Sequence, residues 1–291
     1  MGLRKFDYFA PLSVPEACAA LAKHPDDAKL IAGGQSLLRM MKYRMLSPSL
    51  LVDLKAVPGL TYVTDGKEGL RIGALATHTQ VIETREVREH YSVLADAEAE
   101  VSTAAVRNWG TLVGNLCVGH TSSDSSPALL VLDASVAISG PDANRVLSLG
   151  QFFKGHLTTD LSPSEVVTEI RVPRPPVGSG MAYLSYTGRQ AMETPLVSVA
   201  ALIVIENGRC AHARIALAGA AETAFRSHGA ERALVGKKID AESSVSAGRI
   251  AQQEASPDTD VYGSSEYRRR LVGIYVRDAV QLAASRAAGS R

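Results

Sequence analysis

Two short stretches place glycines where a backbone would come close to an anion. The first is Ile31-Ala32-Gly33-Gly34-Gln35-Ser36-Leu37-Leu38, an apolar run that breaks into paired glycines and restarts with helical spacing. Glycine lets main-chain N–H groups approach a ligand, Ser36 adds a hydroxyl, and a helix start adds the positive end of its dipole; together these suit a phosphate. The second is Asn108-Trp109-Gly110-Thr111-Leu112-Val113-Gly114-Asn115, small and polar, with Asp124 beyond it. Two such loops can clamp a pyrophosphate from opposite sides, with a nearby carboxylate on a ribose hydroxyl. Each feature also has a plainer reading. A glycine pair after a strand makes an ordinary turn, Asp124 before Ser125-Ser126-Pro127 is a helix N-cap, and Trp109 packs in a core or lies on the surface.

Other chemistry is scarce. The sequence has no G-x-G-x-x-G after a strand, no Walker loop, no H-E-x-x-H and no G-x-S-x-G. Its seven histidines never fall three or four residues apart, which disfavours a metal site built from them. Cys18, Cys117 and Cys210 form no C-x-x-C pair, so neither a disulfide framework nor a zinc or iron–sulfur site of the chain's own is expected. Across 291 residues, 31 Lys and Arg balance 30 Asp and Glu, which argues against nucleic acid or a membrane surface as partner. The longest uncharged apolar stretch, Pro195 to Ile205, is well short of the ~20 residues of a membrane helix. With no hydrophobic signal core behind Met1-Gly2-Leu3-Arg4-Lys5-Phe6, a cytoplasmic location is expected.

The elements that must position these loops can be read from hydrophobic period and turn residues. Pro15–Leu21 has helical spacing with Ser13 as N-cap, Lys29–Ala32 reads as a strand, Ser36–Met45 as a helix capped by Ser36, and Leu50–Leu54 as another strand. Further on, Leu70–Leu75 is strand-like, Thr79–Ala105 mostly helical, Val106–Asp124 a glycine-containing loop, Ala128–Leu132 helical and Ser135–Ile138 a strand. Pro173-Arg174-Pro175-Pro176-Val177-Gly178 is a linker. Beyond it Met181–Tyr186, Val197–Ile205 and Cys210–Leu217 read as three consecutive strands, with Asn207-Gly208 as a hairpin turn. After Gly219 the pattern is helical, and the last helix carries Tyr267, Leu271, Ile274, Tyr275, Ala279 and Leu282 as its expected buried face. Three units are expected, at 1–57, 58–177 and 178–291.

The two loops together carry a resemblance. Ala32-Gly33-Gly34-Gln35-Ser36-Leu37-Leu38-x-Met40-Met41-Lys42-x-Arg44 and Val106-Arg107-Asn108-x-Gly110-Thr111-Leu112-x-Gly114-Asn115 closely resemble the FAD-binding medium subunit of the molybdenum hydroxylases. Phe6-Asp7-Tyr8 with Pro11, Leu51–Leu54, Glu169–Pro173 and Ser265–Arg269 extend the likeness over nearly the whole chain. The resemblance implies an α+β protein: a two-part FAD-binding domain of the vanillyl-alcohol-oxidase (PCMH) type, then a three-stranded antiparallel sheet with a helical bundle. It assigns the FAD pyrophosphate to Ala32, Gly33, Gly34, Gln35 and Ser36 and to Thr111, Gly114 and Asn115, and counts Ile31 among the cofactor-binding residues. Asp124 falls to the adenosine side, and Thr77, beside His78, near the flavin. The sequence departs from the family pattern at Arg39, Val113, His120-Thr121 and Ser185.

The implied function is electron transfer. The chain would take electrons from [2Fe–2S] clusters on a small partner subunit, fed by a molybdenum-pterin cofactor on a large partner, and pass them to an external acceptor. A dimer of such heterotrimers is expected. Two other readings stay open at this point: a free-standing FAD reductase acting on a UDP-sugar enolpyruvyl ether, and a structural subunit that has lost its cofactor.

Overall fold

The computed structural model describes residues 2–188 and 194–289. Its first sheet is small and parallel, built from β1 (Asp7–Phe9), β2 (Ala28–Ile31) and β3 (Leu50–Asp53) in the order β1-β3-β2. Helix α1 (Val14–Lys23) leads into β2, capped by Ser13, whose hydroxyl accepts from the Glu16 amide at 3.3 Å. Helix α2 (Leu37–Lys42) connects β2 to β3.

The second sheet has five antiparallel strands. Between β4 (Val63–Gly66), β5 (Gly69–Gly73) and the rest of it lies a helical stretch, and the sequence pattern over 79–105 ran these helices together. The chain instead breaks at Thr84, Tyr91 and Val101 into α3 (His78–Glu83), α4 (Arg85–His90) and α5 (Ser92–Glu100), followed by α6 (Ala104–Arg107). The expected loop from Val106 to Asp124 contains α7 (Leu112–Val118), hidden in the sequence by Gly114 at its centre. Then come α8 (Ser125–Val131), β6 (Ser135–Ser139), β7 (Asn144–Ser148), α9 (Leu149–Phe152), the hairpin of β8 (Phe153–Gly155) and β9 (Thr158–Thr159), and β10 (Val166–Val172). The sheet order is β4-β5-β10-β6-β7. The proline linker follows, with Arg174 tied back to Asp65 at 2.6 Å.

The third sheet consists of β11 (Ser179–Tyr186), β12 (Val197–Glu206), β13 (Arg209–Ala218) and a two-residue β14 (Phe225–Arg226), which joins the three expected strands as a fourth. Asn207 and Gly208 make the turn with φ of 51° and 76°, a type I′ pattern. Strand β12 is apolar without alternation because both its faces are covered. Ala200, Leu202 and Val204 face the core of the preceding region, whereas Val199, Ala201 and Ile203 face α10 (His228–Leu234), α11 (Ala241–Glu254) and α12 (Ser265–Gly289).

The buried face of α12 is rotated from the expected one. Leu271 and Ala279 are buried, but Tyr267 and Ile274 are 40% and 44% exposed, and Val272, Val276, Val280, Ala283 and Ala287 take their place. Small residues decide this. The β11 backbone at Gly180 lies so close to α12 that a Cβ would stand 2.0 Å from the Ala283 carbonyl oxygen, and only an alanine stripe admits that approach. Arg268 is buried with the stripe because its guanidinium donates to the Leu196 carbonyl at 2.9 Å and pairs with Asp260 at 2.6 Å. No helix among the described residues is long and apolar enough to cross a membrane.

Gly180→Ala should therefore lower stability by about 1–3 kcal/mol through overpacking of β11 against α12. The denaturant midpoint checks this, and an unchanged midpoint would mean the two elements can part at little cost.

Candidate functional site

The two glycine loops meet backbone to backbone. A Cβ on Gly33 would stand 2.1 Å from the Trp109 carbonyl oxygen and 2.8 Å from the Gly110 Cα, so no side chain fits between them. Gly34 follows with φ of 73°, a left-handed conformation that favours glycine. This turn leaves the amides of Gly33, Gly34, Gln35 and Ser36 donating to no group within the described residues. Ser36 does not cap α2 as its position suggests. Its backbone is already helical and its exposed hydroxyl bonds nothing in the helix. Ile31 contributes only main chain, since its side chain is buried with Met41 and Leu51; Ala32 and Gln35 are half-buried.

A short bridge aligns the second loop. The His78 amide donates to the Gly110 carbonyl at 3.0 Å and the Leu112 amide to the Ala76 carbonyl at 3.2 Å, pairing Thr77 with Thr111. Both threonines cap helices. The Thr77 hydroxyl accepts from the Gln80 amide at 3.2 Å within a capping box. That of Thr111 accepts from the Gly114 amide at 3.0 Å. A Cβ on Gly114 would crowd the same Thr111 oxygen at 2.6 Å, which is why this helix carries a glycine there. Val113 lies inside α7 with its side chain buried and φ negative, so the departure from the family pattern leaves the loop unstrained. Arg39 is exposed on the first turn of α2, and Ser185 lies on β11 opposite Ser198. Trp109 is 62% exposed and packs in no core.

Asp124 occupies the start of α8 without capping it. Its carboxylate accepts from the Tyr183 hydroxyl at 2.5 Å, a bond from the third sheet into the loop region. Burial pushes the Asp124 carboxyl up to about 7; the Tyr183 hydrogen bond works against this, and Glu98 and Glu100 add to it. The next two residues, Ser125 and Ser126, are fully buried, and their hydroxyls have no partner among the described residues. Asn115 accepts from the Ser123 hydroxyl at 2.8 Å, which joins α7 to the segment before Asp124. Behind the bridge, His78 Nδ1 bonds the completely buried Glu98, whose second oxygen is unpaired among the described residues.

The residues brought together are thus the 31–36 loop, Thr77, Thr111, Gly114 and Asn115, with Asp124 joined through Ser123. The unpaired amides beside the Gly33–Trp109 seam suit a phosphate, and the orphaned hydroxyls at the start of α8 suit a further polar group of a ligand. Sequence reasoning missed Tyr183, Ser125, Ser126 and Glu98. Only Glu98 left a signal, as a charge on the apolar stripe of α5 beside Leu94 and Ala97.

Because the folded state raises the Asp124 pKa from the ordinary aspartate range to about 7, its contribution to stability is present at low pH and lost as pH rises through that interval. Asp124→Asn should raise the melting temperature of the ligand-free chain. The gap over wild type should widen from about pH 4 to about pH 7 and stay constant above. Melting curves across pH check this; a gap independent of pH contradicts it.

Comparison with known proteins gives the following. Residues 4–175 match the family described as the FAD binding domain in molybdopterin dehydrogenase, and residues 182–283 match the CO dehydrogenase flavoprotein C-terminal domain. The chain is similar to the 6-hydroxypseudooxynicotine dehydrogenase complex subunit alpha of Paenarthrobacter nicotinovorans, with 32% identity over 97% of this chain and 95% of that one. It is similar to the carbon monoxide dehydrogenase medium chain of Hydrogenophaga pseudoflava, with 33% identity over 98% and 99%. Among solved structures, a carbon monoxide dehydrogenase from Hydrogenophaga pseudoflava lacking the Mo-pyranopterin moiety superposes with a TM-score of 0.95, at 33% identity over 98% of this chain and 99% of that one.

Proposed function

The chain belongs to the FAD-binding medium subunits of the molybdenum hydroxylases, and on that premise we propose that it relays electrons inside a larger enzyme through an FAD held between the two glycine loops. The observation that carries this reading is the Gly33–Trp109 seam, flanked by amides with no partner among the described residues. Ala32, Gly33, Gly34, Gln35 and Ser36, with the Ile31 main chain, hold one side of the pyrophosphate. Thr111, Gly114 and Asn115 hold the other. Asp124, presented by Tyr183, takes the adenosine side together with the Ser125 and Ser126 hydroxyls. Thr77, its oxygen engaged in a helix cap, acts by fixing Thr111 in register. FAD, when bound, supplies the redox chemistry; the chain supplies binding, orientation and shielding from water.

Electrons arrive from outside. The chain's three cysteines are dispersed over Cys18, Cys117 and Cys210, and none of them belongs to a cluster motif. In this reading [2Fe–2S] clusters on a small partner and a molybdenum-pterin cofactor on a large one stand upstream, in a dimer of heterotrimers. The division 1–57, 58–177 and 178–291 then separates two halves of the FAD-binding region from a C-terminal unit that closes over it through Tyr183.

Acid precipitation of the purified chain should release FAD into the supernatant. Gly34→Asp should abolish FAD binding while leaving the circular dichroism spectrum intact, because it forces a side chain into a left-handed position against Leu38 and Ile31 and puts a negative charge into the loop assigned to the phosphates. Asp124→Ala should weaken FAD binding by about 1–3 kcal/mol. A chain that stays colourless after refolding with excess FAD, or a Gly34→Asp variant with wild-type affinity, overturns the assignment. Substrate-dependent dye reduction should require the two partner subunits; the same rate from this chain alone contradicts the relay.

A further inference from the structure

Between α7 and α8 the chain runs as a strap, Gly119 to Asp124, with no regular structure of its own. Other parts of the fold hold it at successive residues. The Gly119 carbonyl accepts from Leu157 at 2.9 Å, the Thr121 carbonyl from Gly219 at 2.8 Å, and Asp124 from Tyr183. Ser123 donates to Asn115. The Ser122 amide alone is satisfied from within the strap, by His120 Nδ1 at 3.1 Å. That bond fixes the imidazole as an acceptor at Nδ1, so its proton sits on Nε2. The ring stands edge-on to that of His156 in the β8–β9 turn, with centroids 5.2 Å apart.

We propose that His120 is a positioning residue for the strap that presents Asp124, and that the His120–His156 pair releases the strap when His120 takes up a proton. The inference rests on the reading of this region as an FAD site. A protonated His120 has no lone pair at Nδ1, so the Ser122 amide loses its acceptor. The new charge is half-buried and faces a second imidazole. Few groups nearby offset it. Cys117, three residues back on α7, is held neutral, its thiol pushed up to about 12 by burial. Asp124 is itself raised to about 7. Glu222 lies across the turn, its carboxylate oxygen 3.0 Å from where a Cβ on Gly155 would be. Burial and His156 both hold His120 below the usual histidine value.

The closed strap therefore excludes a proton that the open strap accepts. Closure is favoured in full above about pH 7 and is lost as pH falls through the ordinary histidine pKa near 6.5. Asp124 titrates in the same interval, so the test is made in the Asp124→Asn background, where His120 is the strap's remaining titrating group. The full-length chain is used.

In that background the Kd for FAD, read from flavin fluorescence, should be higher at pH 5.5 than at pH 7.5, by no more than about tenfold, the limit for one proton taken up at the ordinary histidine pKa. His120→Asn should bind normally at pH 7.5, because an asparagine oxygen can accept from the amide two residues on, and should lose the acid weakening. An acid weakening identical with and without His120 overturns the proposal. A second readout needs no FAD: the protection factor of the Ser122 amide, its exchange rate set against the intrinsic rate at the same pH, should fall as His120 is protonated, followed by NMR on the FAD-free chain. If the chain binds no FAD at any pH, the function proposed for the site fails, and the Ser122 amide still decides the strap. A Ser122 protection factor that ignores the His120 titration overturns it.

Discussion

The contact between Gly33 and the Trp109 carbonyl is the constraint on which the site depends. It brings together a turn after the parallel sheet and a turn before α7 with no atom to spare between them. Because the gap is closed by backbone, it fixes the two loops to each other more tightly than side-chain packing would, and any residue larger than glycine must drive them apart. Everything on the ligand side follows. The chain turns left-handed at Gly34, the following amides donate to no group among the described residues, and α2 begins without a side-chain cap.

The third sheet completes the arrangement from the other direction. With both faces covered, its strands serve at once as the core of the C-terminal helices and as a wall against α5 and α8. Tyr183 sits on the wall side and delivers its hydroxyl to Asp124. A carboxylate that would otherwise be a simple helix cap is thereby drawn into a buried cluster with Glu98 and His78 behind it. The polar groups left unsatisfied there, the Ser125 and Ser126 hydroxyls and one Glu98 oxygen, lie where the two regions join.

Much of this was legible in the residues. Gly33-Gly34-Gln35-Ser36 and Gly110-Thr111 announced themselves because close backbone approach needs glycine and helix starts need hydroxyls. The strands β11 to β13 were legible from apolar runs and an Asn-Gly turn. What failed to show was decided by tertiary contact. Helix α7 is interrupted by Gly114, whose purpose is visible only once Thr111 is seen above it. The face of α12 was misjudged because aromatic residues outweigh alanines in a hydrophobic pattern, whereas the close approach of Gly180 selects alanines. The bonds Tyr183–Asp124 and His78–Glu98 join residues 59 and 20 positions apart with no local motif to mark them.

The central claim is that one ligand, FAD, spans both loops and the Asp124 segment at once. Amide hydrogen exchange on the full chain, with and without FAD, tests it most directly. The account predicts that FAD slows exchange together at Gly33 to Ser36, at Val113 and at Asp124 to Ser126, with one common FAD concentration dependence. Protection confined to a single loop, or appearing at different FAD concentrations in the two, would contradict it.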